Sequence, residues 1–290
     1  MSSDVRATVI VPTTGDRGPL LELSVGSVLR QSMENIEVFI VGDGVDEQTR
    51  IDAARLEQSD DRVVFIDHPK HPRRGEPYRD RLLRERAHGS FVAYLLDRDL
   101  WFRDHLVEVE AGLVNADFVA TLPTLFRDDG TVSPPYKLDL ATAAALPRAR
   151  RIDGVAPMST VGHTLDAYLR LPFGWRETPK GVATDSYMWH QFLDQSWIGA
   201  ASLPVATVVY LKRGNHPGLS TDERRLLLEE YTELLLQPGG EDALRRRVVE
   251  GIWRQRVNLE RASPKRRFEA QVRQPIRNVL GRVRLKKSDD

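Results

Sequence analysis

Short apolar runs alternate with amphipathic stretches through the first hundred residues. ATVIVP (7–12), IEVFIV (36–41), RVVFI (62–66) and SFVAYLL (90–96) are strand-length runs rich in β-branched and aromatic residues, closed by Pro, Gly or Asp. Between them, Pro19–Ser32, Asp46–Gln58 and Tyr78–His88 read as helices. Leu20, Leu23, Val25, Val28 and Leu29 form the buried side of the first. HPKHPRRGEP (68–77) is too punctuated for regular structure. This alternation predicts an α/β fold, a Rossmann-like and mostly parallel sheet with flanking helices. Ligands of such sheets bind outside the carboxyl ends of the strands. The segments to inspect are therefore Pro12–Asp16, Gly42–Asp46, Asp67–Gly75 and Asp97–Asp99.

The pattern is less regular further on. DHLVEVEAGLV (104–114) reads as a helix, DFVATLPTLF (117–126) as a strand, and 127–160 as loop-rich with short strands. Thr184–Gln195 reads as a helix and VATVVYL (205–211) as a strand. Three helices follow from Ser220, interrupted at Gln237-Pro238-Gly239-Gly240 and at Ser263-Pro264. The expected organisation is a domain over 1–220, with halves 1–115 and 116–220, and a basic helical C-terminal extension over 221–290.

Composition adds exclusions. The 290 residues include no Cys, which removes disulfides, a thiol nucleophile and cysteine-ligated metal sites, and fits a reducing cytoplasm. MSSDVRATVIVP is too short an apolar run for a signal peptide or a membrane span, and no later run is long enough. The 42 basic and 42 acidic residues balance, but unevenly: Ala243–Asp290 holds fifteen Lys and Arg against five Asp and Glu. Such a tail suits an anionic membrane surface, an acidic partner or nucleic acid, and equally a solvated helical face. No stacking motif interleaves it, so nucleic acid is not expected.

The turn after the first strand, PTTGDRG, lacks the dinucleotide glycine fingerprint, and no phosphate-loop motif occurs. Strand ends instead carry Asp43, Asp97 and Asp99. Two aspartates one residue apart suit a hard divalent ion that also touches phosphates; an N-cap plus a turn explains the same pair.

ATVIVPTTGDR, SVGSVLRQSMENIEVFIVGDGVDEQT and AHGSFVAYLLDRDLWFRDHL, in this order and spacing, resemble family 2 glycosyltransferases of the GT-A fold. The resemblance covers 7–106 and continues more weakly through 158–220. It implies an inverting, hexosyltransferase-type enzyme of carbohydrate or cell-envelope glycan biosynthesis. The donor would be a UDP- or dTDP-sugar, the acceptor a glycan, lipid-linked or small-molecule hydroxyl. Pro12 and Thr13 would line the base pocket, and Asp43 would bind the base or ribose. Gly42 departs from the family, which has Asp there. Asp97 and Asp99 would approach the diphosphate and a Mg²⁺ or Mn²⁺ ion, Asp99 more directly, with His216 returning to complete the site. Asp185, opening a helix in FGWRETPKGVATD, would be the catalytic base; helix capping explains it equally without the family. Arg74 and Arg79 would pair with the donor. Trp175 suits a sugar platform and His163 a place beside the acceptor.

Arg98, between the two aspartates, is the main departure. It has three open roles: to turn away, to grip the diphosphate bidentately, or to supplant the metal. A cation about 4 Å from a divalent ion costs on the order of several kcal/mol if unscreened. It also leaves open a catalytically silent, nucleotide-sugar-binding protein. The basic C-terminus implies peripheral contact at the inner face of a membrane.

Overall fold

The computed structural model describes residues 5–124, 139–146, 155–211 and 218–262. In chain order the elements are β1 (Ala7–Gly15), α1 (Gly18–Leu29), β2 (Ile36–Val45), α2 (Glu47–Ser59), β3 (Val63–Ile66) and α3 (Glu76–Glu85). Next come β4 (Phe91–Tyr94), β5 (Leu100–Trp101), α4 (His105–Leu113), β6 (Phe118–Thr124) and α5 (Leu140–Ala145). The series ends with β7 (Val161–Thr164), α6 (Leu165–Arg170), α7 (Thr184–Leu193), β8 (Ala200–Val209), α8 (Thr221–Leu236) and α9 (Gly240–Ala262).

One sheet runs in the order β3-β2-β1-β4-β7-β6-β8-β5. The pairs β2–β3, β1–β2, β1–β4 and β6–β8 are parallel. The sheet is not parallel throughout, because β7 inserts antiparallel between β4 and β6, and β5 pairs antiparallel with β8. The short apolar content of β7 and β5 gives no periodic signal, so neither was expected as a strand. This is the mostly parallel α/β sheet of the GT-A fold. Both of its faces are covered, as its unbroken apolar strands require. Val9, Val11, Val38 and Ile40 point into one core, and Ile10, Phe39 and Val41 into the other.

Local chemistry places the strand ends. Gly44 takes φ 63°, which only glycine adopts without strain, and its missing side chain lets Lys70 pack against it. Asp46 caps α2 by accepting from the Thr49 amide. In the SVLRQ segment, the Gln31 amide donates to the Phe102 carbonyl at 2.7 Å and its oxygen accepts from the Leu106 amide at 3.0 Å. The Ser27 hydroxyl accepts from the Trp101 amide. The end of α1 is thereby fastened to the chain that follows Asp99.

A first compact unit runs to Arg245 and a second covers 246–290. Within the first, α8 packs on α1, opens with a Ser220–Glu223 capping box, and is tied by the Thr221 hydroxyl donating to Asp16. The third C-terminal helix expected after Pro264 lies outside the described residues. Among the described residues no helix is long and apolar enough to cross a membrane.

Candidate active site

The carboxyl ends of β1, β2 and β4 meet at one edge of the sheet. β1 is central, so Thr13 can reach both neighbours' ends. Its hydroxyl donates to Asp97 Oδ2 at 3.0 Å, and the Thr14 hydroxyl donates to the Asp43 carbonyl at 2.6 Å. Pro12 is half-buried beside them. The buried Asp43 carboxylate accepts from Lys70 Nζ and from the His71 amide. Gly75 sits so close to Asp43 that a β-carbon there would stand 3.2 Å from its side chain. Asp43 thus lies under the basic loop after β3, with Lys70 of that loop as its ion-pair partner.

That loop is braced from the second half of the chain. Arg73 donates to the carbonyls of Thr178 and Pro179, and the buried Glu76 carboxylate accepts from the amides of Arg74 and Thr178. Arg74 itself is exposed. Arg79 is 3% exposed, with Nη1 on the Arg74 carbonyl and Nε and Nη2 unpartnered among the described residues. It lies over the Trp175 ring at 4.4 Å, and burial pulls its pKa down.

Asp97, Arg98 and Asp99 leave β4 in a tight turn closed by the Asp99 amide on the Leu96 carbonyl. Arg98 Nη1 lies 3.7 Å from Asp97 Oδ1, its side chain is 24% exposed, and its Nε has no partner among the described residues. Asp99 is fully buried. It accepts from the Ser159 hydroxyl at 2.5 Å and the Leu211 amide at 3.0 Å, and burial pushes its pKa up to about 6.

Asp185 occupies the first turn of α7 and is half-buried. The N-cap is Ala183, with no side-chain cap, and Asp185 Oδ1 accepts from the Ser186 amide at 2.8 Å. The carboxylate therefore sits where free helix amides favour negative charge. Tyr210 connects the two halves. Its hydroxyl pKa is raised first by burial and then by Asp99 and Asp185, against Arg98. Asp99, Asp185 and Arg98 thus each act on the charge of the Tyr210 hydroxyl.

The two expected acceptor residues need correction. Trp175 is 2% exposed; its Nε1 donates to the Tyr94 hydroxyl at 3.0 Å and its ring packs edge-on against Tyr94 and Trp189. His163 is fully buried in β7, with Nε2 on the Tyr94 hydroxyl at 2.8 Å and Nδ1 on the Thr164 carbonyl at 3.0 Å. The carbonyl can only accept, so Nδ1 carries the proton and Nε2 accepts from Tyr94. Both rings lie inside the core and not at its surface. Loop-like composition suggested exposure, whereas packing drew both into an aromatic core. The exposed aromatic of this loop is Phe173, 51% exposed, with the Arg176 guanidinium over it at 4.0 Å.

Burial lowers the His163 pKa to about 4. Unfolded His163 binds a proton below about 6.5 while the folded one does not until about 4. Stability should thus fall by about 3 kcal/mol as pH drops through that window. A His163→Phe variant should show a flatter decline of Tm between these pH values than the parent; parallel profiles would contradict the buried neutral imidazole.

A family model for glycosyl transferase family 2 matches residues 8–160, more than half of the chain. The chain belongs to glycosyl transferase family 2. No curated protein sequence matches the chain. Solved structures share its fold. The mannosyltransferase PcManGT from Pyrobaculum calidifontis, in complex with GDP-Man and Mn²⁺, is 20% identical with a TM-score of 0.53, covering 85% of this chain and 75% of that one. S. aureus TarS is 16% identical with a TM-score of 0.51, over 92% of this chain; the glycosyltransferase spans 46% of the TarS length. TarS 1–349 with UDP-GlcNAc gives 17% identity and the same TM-score, over 76% of that chain.

The glycosyltransferase's own residues decide how far a metal ion fits. Mg²⁺ and Mn²⁺ need several oxygen ligands with free lone pairs. Among the described residues no group of three His, Cys, Asp or Glu side chains could hold an ion, and His216 lies outside them. Both Asp99 oxygens already accept hydrogen bonds in a fully buried position, and Asp97 is flanked by Thr13 and the Arg98 cation. As arranged, this donor set does not fit a divalent ion.

Proposed function

We propose that the protein is an inverting glycosyltransferase that moves a sugar from a UDP- or dTDP-sugar to a hydroxyl of a glycan, lipid-linked or small-molecule acceptor. The carrying observation is the sheet edge where Thr13 and Thr14 tie the ends of β4 and β2 together through Asp97 and the Asp43 carbonyl, and where the Asp97-Arg98-Asp99 turn leaves β4. The neighbours TarS and PcManGT carry UDP-GlcNAc and GDP-Man, which supports a nucleotide-sugar donor.

In this reading Pro12, Thr13 and Asp43 hold the nucleoside and Arg74 meets the donor from the loop side, while Arg79, expected to do the same, is buried over Trp175 and braces the loop through the Arg74 carbonyl. Arg98 faces the diphosphate through its side chain, 24% exposed beside Asp97. Asp185 takes the acceptor hydroxyl proton as that oxygen bonds to the anomeric carbon. The bond from that carbon to the diphosphate breaks on the opposite face, and the electron pair leaves with the nucleoside diphosphate. Asp99 anchors the turn through Ser159 and Leu211. No step is routed through an ion.

The test is product formation from a panel of nucleotide sugars, with UDP, dTDP and GDP affinities measured by calorimetry. Donor binding without transfer or donor hydrolysis would mark a silent binding protein. Asp43→Ala should weaken nucleoside diphosphate binding by about tenfold, the scale of one hydrogen bond to a charged group, and leave the fold intact. Unchanged affinity would remove Asp43 from the base pocket.

A further inference from the structure

Helix α9 exposes large apolar side chains in a pattern its own fold does not require. Val249, Ile252 and Trp253 are 67%, 40% and 66% exposed. Their spacing, i, i+3 and i+4, sets them on one helical face. Trp101, Trp175 and Trp189 are by contrast 2% exposed or less. The exposed Arg246 and Arg256 lie on or beside this face, the exposed Arg247 and Arg254 turn away from it, and Glu250 pairs with Arg254 at 3.9 Å. The following residues, 263–290, add nine Lys and Arg against three Asp and Glu.

We propose that this face of α9 docks on an anionic lipid bilayer surface, with Ile252 and Trp253 entering the headgroup boundary and the arginines meeting lipid phosphates. An indole suits that boundary because its ring is apolar and its N–H remains hydrogen-bonded there. Arginines beside it add attraction that falls with salt. Charge argues against the other occupants. A second copy would bring two arginine-rich faces together, and a nucleic acid backbone would leave the aliphatic strip in water. The inference stands apart from the donor chemistry, since α9 supplies none of the residues assigned to it.

The experiment uses the full chain and sedimentation with vesicles of phosphatidylcholine alone or with one third phosphatidylglycerol, at low and high salt. The parent should pellet with the anionic vesicles, and high salt should weaken this. Ile252→Glu combined with Trp253→Glu, at exposed positions that leave the core untouched, should weaken association at least tenfold. Brominated lipid should quench parent tryptophan fluorescence and spare a Trp253→Phe variant. Absence of pelleting at low salt overturns the proposal, as does pelleting of the double variant equal to the parent's. A lipid-free dimer lost in the double variant, without vesicle binding, would reassign the strip to self-association. Duplex DNA binding with the same loss and no pelleting would reassign it to nucleic acid.

Discussion

Asp185→Asn should leave donor affinity nearly unchanged and cut sugar transfer about 10²–10⁴-fold, the usual cost of losing a positioned base. The amide keeps the size of the side chain and can still accept from the Ser186 amide through its oxygen. Folding and the start of α7 should therefore survive, the more so because the N-cap is Ala183 and not Asp185. What is lost is the ability to take a proton. In the proposed reading donor binding depends on other residues, where Thr13 is joined to Asp97 and Thr14 to Asp43 by hydrogen bonds of their own. Turnover under saturating donor, beside donor affinity by calorimetry, separates the two effects. Near-parental turnover would reduce Asp185 to a helix-terminal charge and move the search to Glu177 and Asp166.

Arg98→Gln should lower turnover about 10²–10³-fold, the cost of removing one preorganised group that stabilises developing charge. Chelator should leave the parent active. The Arg98 side chain is three-quarters buried and flanked by Asp97 at 3.7 Å. Burial of that kind strengthens its field at the diphosphate, since water screens it less. Glutamine retains polar reach without the charge, so the loss reads the cation itself. Turnover that collapses with chelator and survives Arg98→Gln would place a divalent ion at the diphosphate, with Asp97 and Asp99 as its ligands.

The strands β1 to β4 and helices α1 to α3 were legible because each carries a local period or a local stop. Strand runs buried on both faces need no partner to be recognised as such, although β1 and β2 run on to Gly15 and Val45, past the Pro and Gly that close their apolar runs. The same holds for the edge of the sheet: a parallel α/β order puts Asp43, Asp97 and Asp99 at strand ends whatever the remaining packing. The first turn of α7, with Asp185, was likewise visible as a run opening in Thr and Asp.

Tertiary structure decided the rest. Whether a tryptophan in a Gly- and Arg-rich loop meets a sugar or a core depends on what stands opposite. For Trp175 that is Tyr94, Trp189 and Arg79, brought from distant elements. His163 is neutral and buried because β7 inserts between β4 and β6, a pairing with no signature in its four residues. The partners of Asp99, Ser159 and the Leu211 amide, come from 60 and 112 residues away, and they occupy oxygens that a D-x-D motif would offer to a metal. Sequence determined which side chains reach the carboxyl edge of the sheet, because strand direction is local; only packing determined which of them are spent on the protein itself, because hydrogen-bond partners and burial are set by chain segments far apart in order.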